Sequence, residues 1–392
     1  MAMASNGSAQ AIKSGKRLVS LDVFRGATIA AMILVNNPGT WAAIYPPLRH
    51  AQWHGWTVTD LIFPFFLFIV GVSVVLAFTK ALEKGADRGD LVRKTVKRSF
   101  IIFGLGLMMM GYPYLTFDPS FGLHPNLTGI RLMGVLQRIA ICYLAVSLMF
   151  LYLKPKTIAY IAGGLLVGYW AMTMLIPVPG YGAGMIDQPE STLTGWVDRL
   201  LIPEPHIYRE GPYDPEGILS TIPAIATTIM GLFAGIILMA KDTALQKTAR
   251  LMLWGFLLAA VGHVWDWFFP INKAIWSSSY AIFTAGLAMQ CFGASYWLID
   301  VKEYRRYTRP FVVYGVNALI VFFVSGLLAR TLIMIQVDTA DGPMSLQRFI
   351  FNNVFMPLGS EINASLLYAV AWIVLWYFVL SFMYKKNIII KV

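Results

Sequence analysis

Long apolar runs alternate with short polar stretches over nearly the whole chain, near 18–37, 57–80, 98–117, 131–153, 157–178, 217–240, 250–269, 275–298, 310–334 and 361–384. Each is close to the roughly 20 residues of helix that cross a hydrocarbon core of about 30 Å. The pattern predicts an all-α fold, a polytopic membrane helix bundle of about ten transmembrane helices, over residues 17–392. The stretch 1–16 (MAMASNGSAQAIKSGK) is small and polar and predicts a disordered N-terminal tail. Two connections, about 179–216 and 335–360, are too long to be plain turns, and loops of that length are usually functional.

Composition agrees. Apolar residues make up 57% of the chain and charged residues 13%, against about 25% charged in a soluble domain. The net charge of +11 does not indicate nucleic acid, because the basic residues form no continuous patch or recognition motif. They fall between the apolar runs, on alternate sides. With the N-terminus inside, the inner segments hold 22 of the 31 Lys and Arg, as the positive-inside rule requires. Two more, Arg25 and Arg138, lie within spans. Both termini are therefore expected in the cytoplasm, with the first span directing its own insertion. Cys142 and Cys291 both sit in apolar segments, so no disulfide framework is available in outward loops.

Polar residues inside or beside the spans carry the candidate chemistry. Asp22 and Arg25 are spaced i, i+3 on one face of the first span. A charge there costs roughly 2.5–3.5 kcal/mol on insertion scales, so a partner or a wet cavity is expected. Asn36 and Asn37, at the outer end of that span, either cap the helix or face a cavity. The richest stretch is His50–Phe66 (HAQWHGWTVTDLIFPFF). His50 is suited to take and return a proton near neutral pH, or to carry an acyl group. Thr59 or Asp60 is expected to cap the second span. A zinc reading of His50, His54 and Asp60 lacks a convincing third ligand, and no metal is expected.

Arg138 is expected to meet Asp22, Asp60 or an anionic ligand, since an unpaired guanidinium in a span is expensive. Asp214 and Glu216 (YDPEG) either cap the sixth span or bind sugar hydroxyls. Asn272, Lys273, Ser279 and Tyr280 (PINKAIWSSSY) either line a polar cavity or form an interfacial belt. Asn317, His263 and Asp266 are weaker candidates of the same kind. No phosphate-binding loop, nucleophile elbow, His-Glu-x-x-His or haem motif is present.

These residues resemble those of the heparan-α-glucosaminide N-acetyltransferase family, among the transmembrane acyltransferases. LDVFRG (21–26), Val35-Asn36, the His50–Phe66 stretch, GVLQR (134–138), PVPG (177–180), YDPEG (213–217) and PINKAIWSSSY (270–280) match in order and spacing over roughly residues 17–320. The resemblance implies that His50 is catalytic, that Asn36 lies close to it, and that acetyl-CoA enters a cavity between the helices. It also implies an acceptor sugar on the far side of the membrane from the cytosol. The position matching His54 is asparagine in the lysosomal enzyme. No counterpart of the luminal domain and extra leading span of that enzyme is expected here, and its late His-Glu pair is matched by Phe323-Val324-Ser325-Gly326. A bacterial inner-membrane enzyme acting on a smaller amino sugar or envelope glycan is therefore expected.

On this reading the chain acetylates a glucosamine-type sugar, with His50 as base or acetyl carrier and Asn36 positioning the acetyl group. Asp22, Arg25, Asp60, Arg138, Asp214, Glu216, Asn272, Lys273, Ser279, Tyr280 and Asn317 would bind donor or acceptor. Membrane lipids surround the bundle, and a homodimer is compatible with the pattern. The alternatives are a sugar permease without chemistry and a scaffold subunit.

Overall fold

A backbone N–H or C=O without a partner is costly in lipid, and helix pairs them internally. Each predicted run accordingly contains helix. The computed structural model describes residues 18–116, 121–340 and 342–390, except the side chain of Thr116; the tail predicted at 1–16 lies outside the described residues. The first three runs form α1 (Val19–Asn36), α2 (Val58–Glu83) and α3 (Arg88–Gly111). A single turn, α4 (Pro125–Thr128), precedes α5 (Val135–Tyr152) and α6 (Pro155–Leu175). The long connection 179–216 holds α7 (Leu193–Leu201), followed by α8 (Thr221–Met239), α9 (Ala244–Trp265) and α10 (Ser278–Tyr296). The ninth run is α11 (Arg309–Val316) and α12 (Ala318–Met334). The connection 335–360 starts with an antiparallel pair, β1 (Gln336–Thr339) and β2 (Gly342–Ser345), with Gln336 opposite Ser345. Then come α13 (Leu346–Ile350) and α14 (Glu361–Lys385).

Among the described residues, eight helices are long and apolar enough to cross a membrane, or nine if α11 and α12 are one broken span. The remaining predicted span, α3, carries Arg88, Asp90, Arg93, Lys94, Lys97 and Arg98 in its first half and is apolar only from Ser99 on. The ninth run is not the continuous span predicted: its two halves meet at 81° about Asn317.

The helix starts follow local chemistry. Asp87 opens α3 by accepting from the N–H of Gly89 (2.7 Å) and Asp90 (3.2 Å). Thr243 and Gln246 form a capping box on α9. The first turn of α1 is capped from far along the chain, by Asp300, whose oxygens accept from Val19 N (3.2 Å) and Ser20 N (3.0 Å).

The centre of the bundle is α2, α8 and α10. Two-thirds of the spanning residues of α2 and α8 are buried (67% each), against 22% in α9 and 28% in α6 and α14, which form the rim. Small residues let backbones touch. A Cβ on Gly26 would lie 1.7 Å from Phe311 O and one on Gly315 2.2 Å from Asp22 O, so α1 and α11 meet without side chains between them. Gly71 and Gly231 do the same for α2 and α8. The bundle has two distinct ends: the terminal end, where α1 starts and α14 finishes, and the loop end, which holds the connections 37–57, 179–216 and 335–360.

Candidate active site

At the loop end, His50 Nδ1 lies 2.5 Å from Asp60 Oδ1. The other carboxylate oxygen of Asp60 accepts from Ala51 N (3.0 Å), Thr57 N (2.9 Å) and the Thr57 hydroxyl (3.1 Å). Asp60 is therefore fixed in the first turn of α2 and is 1% exposed, whereas the His50 ring is half exposed. The helix cap is Thr57, not Thr59 or Asp60 as predicted; Asp60 binds back to the cap's N–H from the third helical position. Thr59 instead donates to Pro47 O (3.3 Å). With Nδ1–H donated to a carboxylate, Nε2 is the nitrogen left with a free lone pair.

Pro64 adds a constraint one turn further on. It has no N–H to give the carbonyl of Asp60, and that carbonyl accepts from the buried Tyr280 hydroxyl instead (2.5 Å). Tyr280 thus mends the helix under the dyad rather than lining a polar cavity. Ser279 is also buried, bonded to Ser277 (3.0 Å). Asn272 is fully buried and shapes its own turn, its side-chain oxygen accepting from Ile275 N (3.2 Å) and its backbone N–H donating to the Ser277 hydroxyl (3.0 Å). Lys273 stays half-buried.

The loop carrying His50 is stitched to its neighbours. Gly55, at φ +91°, donates to Ile271 O (2.7 Å), a backbone conformation that favours glycine. Trp53 Nε1 donates to Ile186 O (2.8 Å), and its ring meets that of Tyr213 edge-on at 5.4 Å. His54 Nε2 lies 3.0 Å from Asp187, and its Nδ1 is 3.4 Å from Asn272 Nδ2. His50 and His54 thus engage different carboxylates and do not converge on a shared ligand position.

Beneath the 179–216 connection lies an ionic cluster. Arg131 donates to both oxygens of Asp214 (2.8 and 2.5 Å) and to Glu216 (2.5 Å), and packs over the Tyr208 ring at 4.5 Å. Asp198 accepts from the N–H of Asp214 (3.1 Å) and Ile218 (2.9 Å). Burial pushes the Asp198 carboxyl up to about 6, although both N–H groups pull it down. Burial also opposes ionisation of Glu216, but Arg131, Lys273 and Arg138 outweigh it and hold that carboxyl down at about 2. Burial lowers the Arg131 pKa, and its two carboxylate partners more than restore it, leaving it raised. Asp214 and Glu216 neither cap α8 with their side chains nor stand free for a ligand. Arg138, one helix layer deeper, is fully buried; it donates to Gly217 O (3.1 Å) and Ser220 Oγ and lies 5.0 Å over Trp276. It meets neither Asp22 nor Asp60, two of the three kinds of partner expected for it.

At the terminal end a cavity of about 350 Å³ opens between α1, α2, α3, α5 and the α11–α12 break. Its walls include Phe66, Ile69, Val74 and Phe78 as well as Arg25, Arg98 and Asn317. Arg25 reaches Asp22 (3.2 Å) and Ser73 Oγ (2.9 Å). Arg98 packs over the Tyr143 ring at 5.1 Å. The volume falls in the range of small-molecule sites, which are largely apolar with few polar groups. Along α2, Asp60 stands six residues, about 9 Å, beyond Phe66 and thirteen residues, about 20 Å, beyond Ser73. One helix therefore lines both sites.

The structure gathers His50 and Asp60 at one end and Asp22, Arg25 and Asn317 at the other. Asn36 ends α1 with its side chain exposed at the loop end. Sequence reasoning missed Arg98, counted only as a topological charge, and Arg131, in the connection just before α5. It also missed Arg330, a third guanidinium within an apolar span, which donates to Met110 O and Tyr112 O (3.2 Å each).

The chain is thus a polytopic helical membrane protein with a histidine–carboxylate pair at one end of its bundle and a basic, apolar-walled cavity at the other. Residues 17–263 match the family model described as heparan-alpha-glucosaminide N-acetyltransferase, catalytic. The chain belongs to this family. Similar curated proteins are the heparan-alpha-glucosaminide N-acetyltransferases of Homo sapiens (32% identical, over 78% of this chain and 52% of that protein) and Mus musculus (31%, over 79% and 53%). The chain spans about half the length of these relatives.

Proposed function

We propose that this chain moves the acetyl group of cytosolic acetyl-CoA to the amine of a glucosamine-type sugar or glycan on the outer side of a bacterial inner membrane. The observation that carries this reading is the His50–Asp60 pair at one end of α2 with the Arg25–Arg98 cavity along the same helix. The terminal end faces the cytoplasm and the loop end faces out.

In this reading the donor's phosphates meet Arg25 and Arg98, and its arm runs along the apolar wall toward Phe66. His50 Nε2 takes the proton from the acceptor amine as its nitrogen attacks the thioester carbon. Asp60 holds the ring by Nδ1–H and stabilises the imidazolium that forms, as the carboxylate of a serine-protease triad does. The carbonyl oxygen gains negative charge, and in this reading the Asn36 amide would donate to it, a role worth roughly 3–4 kcal/mol where such donors have been removed. Collapse breaks the carbon–sulfur bond. The proton on Nε2 passes to the departing sulfur, leaving an N-acetyl sugar and free CoA.

Sealed vesicles carrying the protein in one orientation test this. Acetyl-CoA enclosed on the terminal side acetylates glucosamine supplied only on the loop side. Transfer that requires both substrates on one side, or sugar uptake without acetylation, would overturn the reading, the latter in favour of a permease.

A further inference from the structure

The chain does not leave the bundle when α14 ends. Lys386 N and Asn387 N bond back to Phe382 O (3.1 Å) and Tyr384 O (3.1 Å), and Ile388 N bonds to Met383 O (2.9 Å). Asn387 sits at φ +53°, the left-handed conformation that closes such a helix stop and turns the chain sharply. Residues 388–390 are thereby folded under the terminal end.

There they are held by one side chain. Asn317 Nδ2 donates to Ile388 O (3.1 Å), and Asn317 Oδ1 accepts from Ile390 N (3.0 Å). Both ends of one amide thus grip the strap as a neighbouring strand would. Asn317 also occupies the 81° break between α11 and α12, so the break presents the gripping residue at the cavity. Ile390 lines that cavity with Arg25 and Arg98. Ile388, Ile389 and Ile390 remain 43–48% exposed, so little buried area adds to the two hydrogen bonds.

A cavity of about 350 Å³ accommodates a donor's arm and leaves a nucleotide head at the opening. The strap contributes Ile390 to the cavity's wall. We infer that residues 387–390 are a latched door over the donor cavity, with Asn317 as the latch. This rests on the donor-site reading above. Asn317 is a positioning residue in this scheme: it acts through the strap.

The test compares the full chain with a variant lacking residues 387–392 and with Asn317→Ala, each in nanodiscs, measuring association and dissociation of CoA. For a door, both rates rise on the order of tenfold, the factor two ordinary hydrogen bonds support, while Kd stays within about twofold. A weaker Kd arising from faster dissociation alone means the strap is a fixed wall touching the donor, and unchanged rates mean it is inert. Either result overturns the proposal. Labelling of Ile390→Cys by an impermeant maleimide gives a readout independent of donor. It rises when Asn317→Ala is added if the latch is real, and stays constant if it is not. Should labelling respond while no variant and no wild-type protein binds CoA, the latch stands and the donor assignment falls, taking the door's role with it.

Discussion

His50 and Asp60, ten residues apart, face each other across the first turn of α2, with Nδ1 and Oδ1 at 2.5 Å. Removing the ring would take away the proposed base and leave the helix start intact, because Asp60 keeps its bonds to Ala51 and Thr57. His50→Ala should lower kcat by roughly 10²–10⁴-fold with donor affinity and melting temperature unchanged. Equal activity in the purified variant would remove His50 from the chemistry.

Arg25→Ala and Arg98→Ala should each raise the donor KM, more at low salt, where charge attraction is less screened. Arg138→Ala should leave the donor KM alone and lower stability instead, since its partners are Gly217, Ser220 and the Trp276 ring rather than the cavity. Donor titrations at two ionic strengths separate the three.

Arg131→Ala leaves Asp214 and Glu216 buried without their cation. Breaking such a cluster costs about 3–5 kcal/mol. Chemical unfolding should show the loss, and Arg131→Lys should restore part of it.

The same cluster sets a pH dependence. The folded pKa of Asp198, about 6, lies above its ordinary 3.8, so the folded state binds a proton that the unfolded chain does not hold between those values. The cost of its buried charge is present above pH 6 and is relieved as pH falls through 6. Glu216 works the opposite way, but its stabilisation is lost only as pH falls from 4.5 toward 2. Between pH 7 and 5 the melting temperature should therefore rise on acidification, by an amount equivalent to at most about 1.4 kcal/mol. Asp198→Asn should flatten that slope, and an unchanged slope would place its origin elsewhere.

Sidedness is checked with single cysteines. Gln188 and Lys302 are both exposed and lie at opposite ends of the bundle. Gln188→Cys and Lys302→Cys should react with an impermeant thiol reagent from opposite sides of sealed vesicles.

The helices were legible because membrane spans depend on composition, which a local window reads. The break at Asn317 was not, since Val312–Phe323 stays apolar straight through it. His50 and Asp60 could be singled out, but their pairing depends on the chain doubling back over Thr57. Partners distant in sequence were out of reach. Arg131 and Asp214 are 83 residues apart, Asn317 and Ile388 are 71 apart, and nothing in either local pattern names the other. The buried Arg138 bonds a backbone carbonyl and a serine and packs on an indole ring, none of which leaves a charge signature to search for.

The distance along α2 between Ser73, which holds Arg25, and Asp60, which holds His50, acts as a ruler. A rod of thirteen helical residues measures about 20 Å, and it packs backbone to backbone against α8 through Gly71 and Gly231. On the proposed function, a donor anchored by its phosphates would be selected by reach as well as by charge. Acyl phosphates and other short activated acids would bind at the anchor and leave their carbonyl stranded in the apolar wall. The protein needs no separate device to refuse them.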